Sequence, residues 1–293
     1  MNSPLVSREQ ISADLQSVPL LSPSASQVLR LANDPDSAVA DIARVVEVDS
    51  ALTAHILRVV NSAAFSLVQK VESLDRAISY LGRSVIAGIA IGYSSASVFD
   101  KPLEGYESER GDLWAYSLRS AIASRELAKL VRNLSPELGY TAGLLHDIGK
   151  SIVSRHLKGS AERILASIDS GEAGDYLDAE RELLGTDHCE VGAELAELWG
   201  LPDSLREAIR RHHRPAAAPE AYRALVYCVH LGDIVSMMGG AGTGSDAMGY
   251  TLDPGYAAYV EISNSDLTQL WLMVESEYAR TKSAVFGDGG EEA

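Results

Sequence analysis

Apolar residues recur along this chain at the three- and four-residue spacing of helices, and no stretch alternates with the two-residue period of a half-buried strand. Leu52, Ile56, Val59 and Val60 fall on one stripe of a helix, for which Ser50 is the expected cap. Ser7 and Gln10 have capping-box spacing, and Ser22 precedes a proline at a first helical position. That second helix should end by Asp34-Pro35, and a short helix should run from Ser73 through Leu81 to a stop at Gly82.

The polar segment 101–111, which contains proline and glycine, is expected to connect an N-terminal helical half, 1–100, to a second helical half, 112–240. The second half opens with a helix over Asp112 to Arg132, and a short helix after Pro136 carries His146-Asp147. His188 begins a helix whose Val191, Leu195 and Leu198 lead to Gly200, and the next helix, started by Leu201-Pro202-Asp203, ends at His212-His213. Glu220 to Met238 forms another helix. A flexible, glycine-rich loop is expected over 241–263, a C-terminal amphipathic helix with Leu267, Leu270, Trp271 and Val274 over 264–287, and a frayed tail over 288–293. The predicted fold class is all-α.

Composition narrows the setting. The 293 residues are 46% hydrophobic and 23% charged, as in an ordinary globular protein with one large core or two smaller ones. The apolar tract around Val85 to Ile91 falls short of the roughly 20 residues a spanning helix needs, and the start lacks the order of a signal peptide, so no membrane association is expected and the cytoplasm is the expected location. Cys189 and Cys228 sit in apolar helical patterns and read as small buried hydrophobes. A net charge of -16 repels a phosphate backbone and argues against nucleic acid as a partner. The densest basic group, Arg206, Arg210, Arg211 and Arg214, reads as a solvated helix face.

Chemistry concentrates at His146-Asp147, where an imidazole and a carboxylate stand side by side. Downstream, His188, His212, His213 and Asp233 offer donors of matching type for a helical metal pocket. The pair could equally be a hydrogen-bonded helix cap. Lys150, four residues after His146, could contact a phosphate or be a surface lysine beyond a helix end. His230 reads as structural, and His55 and His156 as ordinary half-exposed histidines.

Several motifs stand in a familiar order. Asp49-Ser50-Ala51-Leu52-Thr53, Leu57-Arg58, Asn61-Ser62-Ala63-Ala64-Phe65, Ala77-Ile78, Leu81-Gly82 and Trp114-Ala115-Tyr116-Ser117 come first. Gly143 to Lys150, His188 with Val191-Gly192-Ala193, Trp199-Gly200-Leu201-Pro202 and His212-His213 follow. Over about Leu15 to Pro215 the chain resembles the HDOD domain, an HD-related output domain of bacterial signalling proteins. The resemblance implies a stand-alone HDOD protein whose second half is HD-like and which acts as a regulatory module through a signalling protein partner or a phosphorylated small molecule. It makes Asp49 and Asn61 part of the N-terminal signature. Catalysis is not expected of the family. The HD relation also makes His146, Asp147, His188, His212, His213 and Asp233 candidate ligands of a divalent transition metal, with iron, manganese, nickel, cobalt or zinc suiting the mixed nitrogen and oxygen donors. Tyr116 stands where the HD phosphohydrolases place their first histidine, which implies at most a mononuclear site. The alternative is a metal-dependent phosphohydrolase acting on a nucleotide or other phosphoester. A cyclic dinucleotide phosphodiesterase of the HD-GYP type is disfavoured, since Arg214-Pro215-Ala216 follows the histidine doublet where Gly-Tyr-Pro would be required.

Overall fold

A computed structural model of the chain describes residues 6–62, 65, 69–240, 242, 244–247 and 249–286. Ala63 and Ala64 of the N-terminal signature and the tail 288–293 lie outside the described residues. The described chain is helical throughout, with no strand and an isolated bridge between Leu103 and Ser108. In order come α1 (Arg8–Gln16), α2 (Pro23–Asn33), α3 (Val39–Glu47), α4 (Ser50–Val60), α5 (Leu74–Leu81) and α6 (Arg83–Ser94). They are followed by α7 (Ala96–Phe99), α8 (Asp112–Ala128), α9 (Pro136–Leu145), α10 (Lys150–Leu157) and α11 (Ala161–Asp169). The last are α12 (Tyr176–Leu184), α13 (His188–Leu198), α14 (Asp203–Arg211), α15 (Glu220–Met238) and α16 (Asn264–Phe286). No helix among the described residues is long and apolar enough to cross a membrane.

Two compact units emerge. One takes the described residues up to Leu20 with Ser97–Trp271, and the other takes Leu21–Ala96 with the chain from Leu272, so the division falls within α7 and α16. In the second unit α2 packs on α6, and α3 and α4 pack on α5, burying Val28, Ile42, Val46, Ile56, Ile78 and Ile86. Ser22 caps α2 as expected, its hydroxyl accepting from Ala25 N at 3.1 Å. The cap of α4, by contrast, is Asp49 and not Ser50: its carboxylate accepts from Leu52 N at 3.0 Å from an extended backbone. A carboxylate both satisfies a free N–H and faces the positive end of the helix dipole, which favours it over the serine one residue later. Asn61 holds the chain beyond α4, donating to Leu57 O and Val71 O at 2.8 Å and accepting from Val71 N at 2.7 Å. Both signature residues therefore work inside this unit.

The first unit is built around α8, α9 and α15. Small residues bring these three backbones close. A methyl added at Gly143 of α9 would stand 2.7 Å from Ser120 O and Ser124 Oγ of α8, and one at Gly232 of α15 would stand 3.0 Å from Ser124 N. The α8 helix stops at Ala128 rather than Arg132, because its end tightens into i to i+3 bonds (Leu130 N to Leu127 O, Val131 N to Ala128 O) before left-handed Asn133. The α1 helix belongs here, packing on α10 and α13. It begins with the expected capping box at Ser7 and Gln10. His156 has a partner invisible in the sequence, Asp14 of α1 at 2.8 Å.

Candidate metal centre

His146 and Asp147 stand just past the end of α9, in a tight turn leading to α10. That turn lies hard against α13. A side chain at Gly149 would collide with the His188 carbonyl and come within 2.6 Å of Gly192 N, so a glycine at this position lets Asp147 face the first residue of α13. The doublet His212-His213 follows directly from the end of α14, and Asp233 projects from the middle of α15.

All six expected donors converge. His146 Nε2 lies 3.3 Å from Asp147 Oδ2 and 3.1 Å from Asp233 Oδ1. Asp147 Oδ1 is 3.4 Å from His188 Nε2 and 3.5 Å from His212 Nε2, and His213 Nδ1 is 3.8 Å from Asp233 Oδ2. His146, Asp147, His188 and His212 are all fully buried.

Three of the imidazoles share one orientation. Nδ1 of His146 meets Gly143 O at 2.7 Å, Nδ1 of His212 meets Ile209 O at 2.8 Å, and Nδ1 of His188 meets Glu180 Oε2 at 2.8 Å. Each Nδ1–H is thus directed outward to an acceptor and each Nε2 inward to the carboxylates, the arrangement that fixes a ligating tautomer. Glu180 is itself held by the Tyr106 hydroxyl, which donates to Oε1 at 2.5 Å, and by His188 N, which donates to Oε2 at 2.8 Å. His230 supports the doublet from α15: its Nδ1 meets His212 O at 2.7 Å while Nε2 accepts from Asp253 N at 2.8 Å. It is structural, as its sequence context suggests.

Tyr116 reaches the same cluster from α8. Its hydroxyl donates to Asp233 Oδ1 and, at 3.2 Å, to the Asp233 carbonyl. Lys150 arrives there too, with its ammonium 2.7 Å from Asp147 Oδ2 and 2.6 Å from Asp246 Oδ2. Tyr106, Tyr116 and Tyr250 rings lie 5.6, 5.8 and 5.5 Å from that ammonium, within cation–π range. The described part of the glycine-rich segment closes over the cluster: Asp246 is buried, Tyr250 stacks on His213 at 3.6 Å, and Ser245 N donates to Tyr106 O at 2.6 Å.

These placements set the charges. Burial works against an imidazolium at His146, but the Asp147 and Asp233 carboxylates outweigh it and push the pKa up to about 10. His212 goes the other way, lowered by burial to about 4. Burial, then repulsion from His212 and His188, lowers His213 well below the usual imidazole range. Lys150 is raised, since Asp147 and Asp246 overcome the penalty of burial. Burial and the Asp233 charge raise Tyr116, so it stays a neutral hydrogen-bond donor.

Several buried polar atoms in the cluster lack a hydrogen-bond partner: Asp147 Oδ1, Asp233 Oδ2 and both ring nitrogens of His213. Unsatisfied buried groups of this kind cost roughly 1–3 kcal/mol each unless something binds them. With inward-facing imidazole nitrogens beside two carboxylates, the donor set fits a divalent transition metal. Glu180, Cys189, Asp246 and Tyr250 complete the surroundings and were not identified from sequence. The Glu180 side chain comes from the previous helix, eight residues before His188, and Asp246 from a segment with no regular pattern. For Cys189 the signal was its position beside His188, which helical burial obscured.

Similarity to other proteins agrees with this architecture. An uncharacterized protein of Treponema pallidum (strain Nichols) is 26% identical over 217 residues, which cover 73% of this chain and 41% of that protein; the chain thus spans less than half of that relative's length. A solved structure from Marinobacter aquaeolei VT8, named as a candidate signal transduction protein, superposes with a TM-score of 0.73 at 20% identity, covering 95% of this chain and 64% of that one. Another from Shewanella amazonensis SB2B, named as a candidate phosphohydrolase, gives 0.67 at 24% identity, covering 96% and 99%. At these identities the two structures share the fold. The HDOD domain family matches residues 18–215, more than half of the chain, and with the ordered motifs and the all-α architecture now in place, this chain belongs to the HDOD domain family.

Proposed function

We propose that this chain is a regulatory HDOD protein that acts by binding a signalling protein or a small ligand, and that its HD-type cluster holds one divalent metal ion as part of the fold. His146, Asp147, His188, His212, His213 and Asp233 are the candidate donors from which its ligands would come. When bound, such an ion supplies positive charge and Lewis acidity at an oxygen ligand. The observation that carries the regulatory reading is that one oxygen of each HD carboxylate is already engaged within a buried cluster. Lys150 takes Asp147 Oδ2, the Tyr116 phenol takes Asp233 Oδ1, and Asp246 and Tyr250 close the cluster. A substrate phosphate would have to displace the Asp246 carboxylate to reach Lys150. The net charge of -16 supports a protein or small-molecule partner over a nucleic acid.

A second reading, a metal-dependent phosphohydrolase, is favoured by the convergence of all six donors with Lys150 beside them. One experiment separates the two. Protein purified without an affinity tag is loaded with iron, manganese or zinc, analysed for bound metal and assayed on a panel of nucleotides and other phosphoesters. The expected result is a bound ion with no turnover, and specific recovery of a partner in a pull-down. Turnover that His146→Ala abolishes in a folded protein would establish the hydrolase instead, and absence of any bound ion would remove the metal from both readings.

A further inference from the structure

The cluster has two ends with different donor chemistry. At the carboxylate end one oxygen of each acid is taken, Asp147 Oδ2 by Lys150 and His146 and Asp233 Oδ1 by Tyr116 and His146, while Asp147 Oδ1 and Asp233 Oδ2 have no hydrogen bond. The other end gathers imidazoles and a thiol. One ligand atom from each of His188, Cys189, His212 and His213 lies within 4.8 Å of the other three, and all four residues are buried. His213 has no partner at either ring nitrogen although it is only 5% exposed. We infer that the ion this chain binds sits at this imidazole–thiol end, held by His188, Cys189, His212 and His213, and is a thiophilic divalent cation such as zinc or cobalt. This rests on the metal-binding reading above, narrows its six candidate donors to His188, His212 and His213, and adds the sulfur ligand and the class of metal.

Distances favour it. Cys189 Sγ lies 3.5 Å from His188 Nε2 and 3.8 Å from His212 Nε2. In a tetrahedral zinc site with bonds of about 2.0–2.1 Å to nitrogen and about 2.3 Å to sulfur, ligand nitrogen and sulfur atoms stand about 3.6 Å apart. The two imidazoles already have their outer nitrogens tied to Glu180 and Ile209, which leaves each Nε2 facing the interior, where Asp147 Oδ1 and the sulfur both lie. Adjacent residues His188 and Cys189 both begin α13, whose first turn is pinned by Asp187 accepting from Glu190 N at 2.8 Å. Asp147 Oδ1, without a hydrogen bond, faces the same two imidazoles at 3.4 and 3.5 Å and supplies negative charge to the site. Three imidazoles with a thiolate select a borderline or soft ion over manganese or magnesium. On coordination the Sγ–H bond is replaced by an Sγ–metal bond, the proton leaves to solvent, and no oxidation state changes.

Cobalt-loaded and zinc-loaded full-length protein, purified without an affinity tag, tests this directly. The expected findings are one ion per chain and a near-ultraviolet thiolate-to-cobalt charge-transfer band. That band should be lost in Cys189→Ser and kept in Cys228→Ser, which alters a buried thiol on α15 outside the site. X-ray absorption of the zinc-loaded wild type should contain a sulfur neighbour at about 2.3 Å, a readout that stands even if Cys189→Ser does not fold. A bound ion with only nitrogen and oxygen neighbours, or a charge-transfer band that survives in Cys189→Ser, would overturn the sulfur site while leaving metal binding by the cluster in place. Absence of any ion would overturn both.

Discussion

Tyr116 fixes Asp233 through its phenol, and that single contact gives α8 a hold on the chemistry of α15. In Tyr116→Phe the buried carboxylate loses a donor and keeps His146 as its polar neighbour at that oxygen. The substitution is expected to destabilise the protein by about 1–3 kcal/mol, read as a lower urea midpoint; an unchanged midpoint would show that the phenol contributes nothing to holding Asp233. At this scale the sequence was informative about type and order. The six donors and the tyrosine at the position of a missing histidine could be named from motifs, because each motif is contiguous. Glu180, Asp246 and Tyr250 could not, because nothing local marks a residue whose only partner is distant in the chain.

Elements were legible where their ends carry local chemistry. Capping at Ser7 and Ser22, the stop at Gly82 and the full extent of α15 follow from side chains next to the backbone groups they satisfy. Asp49 and the early end of α8 were misjudged, since two adjacent capping residues compete in one case and a tightened last turn intervenes in the other. What the pattern left unstated is the closeness of α8, α9 and α15, which depends on Gly143 and Gly232 meeting Ser120 and Ser124. Gly143→Ala should overpack that contact and destabilise by about 1–3 kcal/mol, by differential scanning calorimetry. Ser124→Ala, which removes a hydroxyl that has no partner, should be neutral or stabilising. Equal effects of the two substitutions would contradict this account of the packing.

For the whole molecule, the charge of -16 goes with close local pairing of three of its four most densely placed arginines. Arg210 meets Glu190 and Glu207 at 3.0 Å, Arg214 meets Asp175 at 2.6 Å and Asp178 at 3.2 Å, and Arg206 meets Asp203. A polyanion therefore finds these guanidinium groups already paired on an acidic protein. Fluorescence anisotropy with labelled single-stranded RNA or duplex DNA at physiological salt should detect no binding, and salt-sensitive association would count against the reading of this face. By itself the sequence determined the helical class and the family and supplied a list of candidate donors, since periodicity, caps and contiguous motifs are properties of neighbouring residues. Only the tertiary structure decided which donors are free. Lys150 and Tyr116 engage one oxygen of each carboxylate and leave Asp147 Oδ1, Asp233 Oδ2 and His213 unpartnered, because hydrogen bonds and ion pairs in a buried site are allotted by distances between helices far apart in the chain.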